Sequence, residues 1–344
     1  MHSAMLYGVE DVRLEEVPCP EPGPGEVLVR VVVAPTCGTD LKVWLRGGHA
    51  RMLVPPTPFG HEFAGEIAAL GEGVSGWRSG EQVVANNSAP CFDCYYCRRE
   101  RFSLCENLIF NNGTFAEYLR IPAAIVRHNL LTVPPGLPLE LAAMSEPLAC
   151  VLHGVEEAGV RAGDTAVVMG DGAIGLMLVA VCAVRGAAVI LAGGQSARLA
   201  VAEQLGAQVT LNYRRAGDPV GRLRALTEGG RGADVVIEAT GKPAAWEAAI
   251  ATARPGATVL LFGGCPRGTA VSVDTENLHY NELTLKGVFH NTPRHVREAL
   301  ALIACRRIPF ELLVSDSLPL GKLEEALARM RDRTAIKVAM LPGS

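Results

Sequence analysis

The chain changes rhythm once, near residue 149. Before about Pro147 its apolar residues fall in short runs such as 27–33, separated by turn sequences such as Pro22-Gly23-Pro24-Gly25, which predicts mainly strands. From about Ala149, Ala-rich helical stretches alternate with short apolar runs at 166–169, 188–191, 235–237 and 259–262. That alternation predicts a parallel sheet with helices on both faces. After about Phe289 come an amphipathic segment at 295–304, a second at 323–330 and a last apolar run at 336–340, expected to pack back on the first half and make it discontinuous.

Composition sets the scale. At 344 residues the chain is long enough for two domains at about 150 residues each. Hydrophobic residues are 49% and aromatics only 5%, so the cores should be aliphatic. Lys plus Arg number 32 against 36 for Asp plus Glu; a net charge of −4 and a pI near 6.1 argue against nucleic acid as a partner. Apolar stretches are broken before about 18 residues, and the first ten residues lack a basic flank and apolar signal core. A cytoplasmic protein without a membrane partner is expected. There, ten cysteines point to thiolate chemistry rather than a disulfide framework.

The apolar run 166–169 leads into Gly170-Asp171-Gly172-Ala173-Ile174-Gly175 and a helical stretch at 176–184, the strand, glycine turn and helix order that a dinucleotide requires. Gly170 permits the tight turn, Gly172 lets pyrophosphate approach the backbone, and Gly175 allows close helix-to-strand packing. About 20 residues on, where an NAD-selecting chain carries Asp or Glu, stands Gly193-Gly194-Gln195. A 2′-phosphate is then not repelled, and Arg198, Arg214 or Arg215 can pair with it. NADP is favoured on this charge argument, with NAD use through Gln195 as the alternative. Gly263, in Leu261-Phe262-Gly263-Gly264, closes another strand where the nicotinamide would lie or serves as a plain structural turn.

Four cysteines cluster as Cys91-x-x-Cys94-x-x-Cys97-x7-Cys105, in a lobe at about 88–108. The long last gap, with no proline after it, weighs against an iron–sulfur cluster. Cys37-Gly38-Thr39-Asp40 closes an apolar strand, Gly60-His61-Glu62 follows about 20 residues later, and Ser145-Glu146-Pro147-Leu148 marks the change of texture. With the glycine turn, this order of motifs resembles the zinc-dependent medium-chain alcohol dehydrogenase superfamily, in its polyol (sorbitol-like) and threonine dehydrogenase branch, over almost the whole chain.

The resemblance implies an α/β fold: a GroES-like β-rich catalytic domain from residues 1–148 and 290–344, a Rossmann doubly wound domain at 149–289, and an active site in the cleft between them. It implies two zinc ions. Cys37, His61 and Glu62 would hold the catalytic ion, with Glu146 approaching directly or through water, and Cys91, Cys94, Cys97 and Cys105 would hold a structural one. Zinc as Lewis acid lowers the alcohol's pKa, which readies the neighbouring C–H to leave as hydride to nicotinamide C4. Asp40 would orient His61 and Thr39 would relay the proton. Lys42 stands where many relatives have His, which weakens threonine as substrate; it either joins the relay or is a solvated lysine. Lys337 would lie near cofactor phosphate or in solvent.

Elsewhere the expectations are bland. Cys19, Cys150, Cys182, Cys265 and Cys305 should be free buried thiols, and His49, His128, His153, His279, His290 and His295 core or surface residues. Trp44 and Phe59 would line the substrate pocket or simply pack. The expected activity is reversible NAD(P)-dependent oxidation of a secondary alcohol in a polyol or sugar-like small molecule, by a homo-oligomer, with a tetramer favoured over a dimer. The alternatives are a threonine or amino-alcohol dehydrogenase and a non-catalytic zinc-binding protein.

Overall fold

The run Val27–Pro35 is rich in valine and buried on both faces, which makes it a central strand. Its one outward charge, Arg30, lies in register with Glu66 of strand Ala64–Leu70 and pairs with it at 2.6 Å. That pair is half-exposed and adds little to stability. The computed structural model describes residues 1–48 and 53–343, which divide into two compact units: Met1–Ala149 with Asn291–Ser344, and Cys150–His290. His49 lies outside the described residues.

The first unit is built on a seven-stranded sheet in which Val27–Pro35 pairs with Ala64–Leu70, Tyr118–Ile121 and, from the far end of the sequence, Lys337–Leu341. The apolar run near 336–340 therefore does return to the first half, where Val338 and Met340 are buried with Val29, Val31 and Phe59. Phe59 meets Phe115 edge to face, with centroids 5.5 Å apart. It is a core residue and not part of a pocket wall.

The second unit holds six parallel strands: Thr165–Met169, Ala188–Gly193, Val209–Asn212, Ala233–Glu238, Ala253–Leu261 and Thr284–Gly287. They lie in the order third, second, first, fourth, fifth, sixth. This is the Rossmann order, and the direction of winding reverses between the first and fourth strands. Ligands of such sheets bind beyond the carboxyl ends of the strands at that reversal. Helix Ala173–Val184 follows the first strand and is buried along most of its length, which explains its uniformly apolar sequence. Among the described residues no helix is long and apolar enough to cross a membrane.

Candidate functional site

In the first unit, two groups of metal-capable side chains converge. Cys37 lies two residues beyond the strand end at Pro35 and caps helix Gly38–Arg46: its sulfur accepts from the Thr39 amide at 3.5 Å, and its own amide donates to Asp40 Oδ2 at 2.8 Å. The other Asp40 oxygen lies 2.9 Å from His61 Nδ1. One buried carboxylate thus fixes two residues 24 apart in sequence, and the Nδ1 hydrogen bond leaves Nε2 of His61 as the free donor atom. Gly60, at φ +90°, lets the chain turn into His61; a Cβ there would lie 2.5 Å from Thr114 Oγ1. Glu62 comes next, and the ligand atoms of Cys37, His61 and Glu62 all lie within 4.8 Å of one another, fully buried.

Burial, then the Glu62 charge, push the Cys37 thiol up, and burial raises the Glu62 carboxyl despite Lys337. Burial opposes the His61 imidazolium, but Asp40 and Cys37 hold its pKa well above the ordinary range. Such a set of soft sulfur, imidazole nitrogen and carboxylate oxygen is disfavoured in its ligating protonation state until a dication arrives. Three protein ligands with a fourth position open is the donor set of a catalytic zinc.

Lys337 is neither solvated nor at a phosphate. It is 1% exposed, and its Nζ lies 3.0 Å from Glu62 Oε1 and 2.7 Å from Oε2. Oε2 has no hydrogen bond of its own despite that proximity, so this buried oxygen remains open to a further cation. The strand carrying Lys337 is pinned to the Cys37 turn, because the Thr36 amide donates to the Val338 carbonyl and the Val338 amide to Thr36 Oγ1, both at 2.9 Å. Glu146 stands outside the three-residue group: buried in the first turn of helix Ser145–Ala158, its Oε1 is 3.4 Å from Asn291 Nδ2. Thr39 and Lys42 are half-buried on helix Gly38–Arg46, one turn apart, and Trp44 further along it is buried.

Cys91, Cys94, Cys97 and Cys105 also bring their sulfurs within 4.8 Å of one another. The separations include 3.5 Å for Cys91 to Cys105 and 3.9 Å for both Cys91 to Cys97 and Cys94 to Cys105. Four thiolates at about 2.3 Å from one tetrahedral ion stand about 3.8 Å apart, so the cage fits zinc with no position left open. The amides of Asp93 and Cys94 lower the Cys91 thiol to about 6, whereas burial pushes Cys97 up to about 12. Of the remaining cysteines only Cys182 is buried; Cys19 and Cys305 are exposed, correcting the expectation of buried thiols.

In the second unit the glycine turn has the expected tightness. Gly170 sits at φ +121°, and a Cβ on Gly175 would fall 1.8 Å from the Gly170 carbonyl oxygen. Gly172 caps helix Ala173–Val184, whose first amides, including those of Ala173 and Ile174, point out of its N-terminus. Gly175→Ala should therefore force helix and turn apart and weaken binding of reduced coenzyme by at least about tenfold, equal to about 1.4 kcal/mol. Fluorescence titration reads this, and an unaltered dissociation constant would count against a pyrophosphate seat here.

Around the turn the structure redistributes the expected roles. Asp171 accepts from the amides of Gly194 and Gln195, and Gly193 is buried against it. Arg198 Nη1 reaches back to the Asp171 carbonyl at 3.3 Å. Gly194 is met by Tyr213 and Arg214; these two and Arg215 are all exposed on the same turn. Gly263 packs on Gly241 and on Glu238, a residue the sequence reading passed over. At the end of the fourth strand, Glu238 is fully buried and its Oε1 accepts from the Thr240 amide at 2.6 Å and from the Thr240 hydroxyl. The signal was an acid ending an apolar run just before Thr240-Gly241, a turn in need of an acceptor.

Comparison with known proteins agrees with both halves. Residues 23–133 match the family model for the alcohol dehydrogenase GroES-like domain, and residues 173–305 that for zinc-binding dehydrogenase. The chain is 33% identical to an L-threonine 3-dehydrogenase of Pyrococcus abyssi, over 99% of this chain and 97% of that one. It is 33% identical to a D-altritol 5-dehydrogenase of Agrobacterium fabrum, over 94% of each. A zinc-binding dehydrogenase from Sinorhizobium meliloti 1021, solved bound to NADP, superposes with a TM-score of 0.90 at 31% identity, covering 99% of both chains.

Proposed function

Since this chain belongs to the zinc-dependent medium-chain alcohol dehydrogenase superfamily, in its polyol and threonine dehydrogenase branch, we propose that it oxidises a secondary alcohol of a polyol or sugar-like substrate reversibly to the ketone, with NADP favoured as coenzyme. It is an NAD(P)-linked zinc-dependent oxidoreductase acting on a small-molecule alcohol. The observation that carries the mechanism is the meeting of Cys37, His61 and Glu62 in one buried cluster.

Those three side chains would hold the catalytic zinc, which when bound supplies Lewis acidity that lowers the pKa of the substrate hydroxyl, while the nicotinamide ring takes the hydride. Asp40 keeps the Cys37 turn and the His61 ring in ligating orientation from behind. Thr39, on the same turn, takes the hydroxyl proton at Oγ1 and passes it outward. Lys337 neutralises Glu62 and keeps one of its oxygens directed into the cluster. Glu146, tied to Asn291, would approach the ion directly or through water. The four-cysteine cage binds a second zinc whose work is to close its own loop. Gly170–Gly175 and the helix after it hold the pyrophosphate. No acid stands at 193–195 and Arg198 and Arg214 lie beside that bend, which supports NADP over NAD. A cytoplasmic homo-oligomer, tetramer before dimer, completes the proposal.

The second reading is a threonine or amino-alcohol dehydrogenase, favoured by the Pyrococcus relative. Initial rates on a panel of polyols and on L-threonine, each with NAD and NADP in parallel, separate the two. The expected outcome is ketone formation from a polyol with a higher kcat/KM for NADP. Faster turnover of L-threonine establishes the second reading in its place.

A further inference from the structure

The corner where the second strand, Ala188–Gly193, ends and helix Ser196–Gln204 begins contains an unusual arrangement of charge. In a sheet of this order, that strand end faces the adenosine ribose, and a carboxylate there selects the 2′-hydroxyl of NAD. Here the corner does have a carboxylate, but it comes from the glycine turn and faces the protein. Asp171, 7% exposed, places Oδ2 at 2.7 Å from the Gly194 amide and 2.8 Å from the Gln195 amide. Gln195 is the residue that starts the helix, and its own side chain makes no capping bond. Asp171 therefore answers the amides at the approach to the helix, where an anion is most stable.

Two glycines make room for this strap. A Cβ at Gly193 would lie 2.8 Å from Asp171 Cβ and 3.0 Å from Oδ2, so the bend closes directly over the aspartate. A Cβ at Gly194 would lie 2.9 Å from the Tyr213 hydroxyl and 3.0 Å from Arg214 Nε. The volume that an acid at position 194 would fill is thus taken by a phenol and a guanidinium. Arg198, in the first turn of the helix, folds back to donate to the Asp171 carbonyl at 3.3 Å, which brings a second guanidinium to the same corner.

We propose that Asp171 is a positioning residue for coenzyme selection: by strapping the Gly193-Gly194-Gln195 bend inward it removes negative charge from the ribose side and leaves Arg198, Arg214 and Tyr213 to receive a 2′-phosphate. The inference rests on the NADP reading above and adds to it the residue that shapes the seat. The amides of Gly194 and Gln195 are already bonded to Asp171, so at this bend the cationic groups offered to a phosphate are the side chains of Arg198 and Arg214. Guanidinium forks suit that task because they can pair with phosphate oxygens two at a time. Both strap bonds end on one oxygen, so an amide side chain, whose carbonyl oxygen also accepts twice, can take over the strap.

The test is fluorescence titration of the zinc-loaded, full-length chain with NADPH and with NADH, for wild type, Asp171→Ala and Asp171→Asn, with thermal melts run alongside. Losing the strap leaves two amides unsatisfied and the bend unfixed, which should raise the NADPH dissociation constant of Asp171→Ala about tenfold and that of NADH less than about threefold. Asp171→Asn should keep the wild-type ratio of the two constants. A ratio unchanged in Asp171→Ala, whether both coenzymes weaken equally or neither does, overturns the strap, as does loss of the ratio in Asp171→Asn. Tighter binding of NADH than NADPH by wild type overturns the coenzyme reading itself; an NADPH preference undiminished in Asp171→Ala overturns the strap alone.

Discussion

Cys37→Ala should bind reduced coenzyme as wild type does and yet lose turnover by at least about a thousandfold, with its zinc content falling from two ions per chain to one. The rate follows from removing one of the three proposed ligands to the ion that would offset developing negative charge on the substrate oxygen. That offset is worth several kcal/mol, and each 1.36 kcal/mol is tenfold in rate. The fold should survive, because beyond its contact with His61 the sulfur makes one cap bond at 3.5 Å, and loss of a cap costs about 1 kcal/mol. Metal analysis, a coenzyme titration and a melt on the same sample check all three points. Turnover within tenfold of wild type would remove the mechanism.

Lys337→Met should show the second largest effect, in stability. Glu62 is fully buried, and in the metal-free chain Lys337 is the cation beside it at 2.7 Å. Breaking a buried pair from one side costs about 3–5 kcal/mol, because the remaining charge is stranded in a low dielectric. At about 2–4 °C per kcal/mol for a chain of this size class, the metal-free variant should melt about 6–20 °C below metal-free wild type. Zinc should recover much of the difference, since it supplies a cation to the same carboxylate. A metal-free variant that melts with wild type would show that the pair carries no such weight.

How far the sequence discloses this depends on the range over which each feature is encoded. The glycine turn is local: Gly170 and Gly175 are dictated by a positive φ and by a carbonyl 1.8 Å from a would-be Cβ, both set within six residues. The four-cysteine spacing is local in the same sense, and the alternation after residue 149 carries the parallel sheet. The fold class and the dehydrogenase family were therefore legible. Partnerships across long separations were legible only where a motif or an apolar run carried them, as for Asp40 with His61 and the return of 336–340. Nothing in Ile336-Lys337-Val338 tells that its lysine is buried against Glu62, because a charged residue in an apolar strand reads as an outward position until the opposite wall is known. Tyr213 and Arg214 likewise reach Gly194 only because the third strand lies beside the second. Asp171 was noticed as part of the glycine motif, but its inward bond to Gly194 and Gln195 depends on how that strand end folds over it.

The pairing of Glu62 with a lysine 275 positions later also bears on how the protein is made. At about 5–20 residues per second on the ribosome, roughly 14–55 s separate the two residues' synthesis. Through that interval the whole nucleotide-binding unit can form while Glu62, the acid proposed to serve the metal, has no native counter-ion. Nascent chains will therefore acquire their coenzyme fold first and their metal pocket last, so that stalled or prematurely released products can bind dinucleotide without being able to use it.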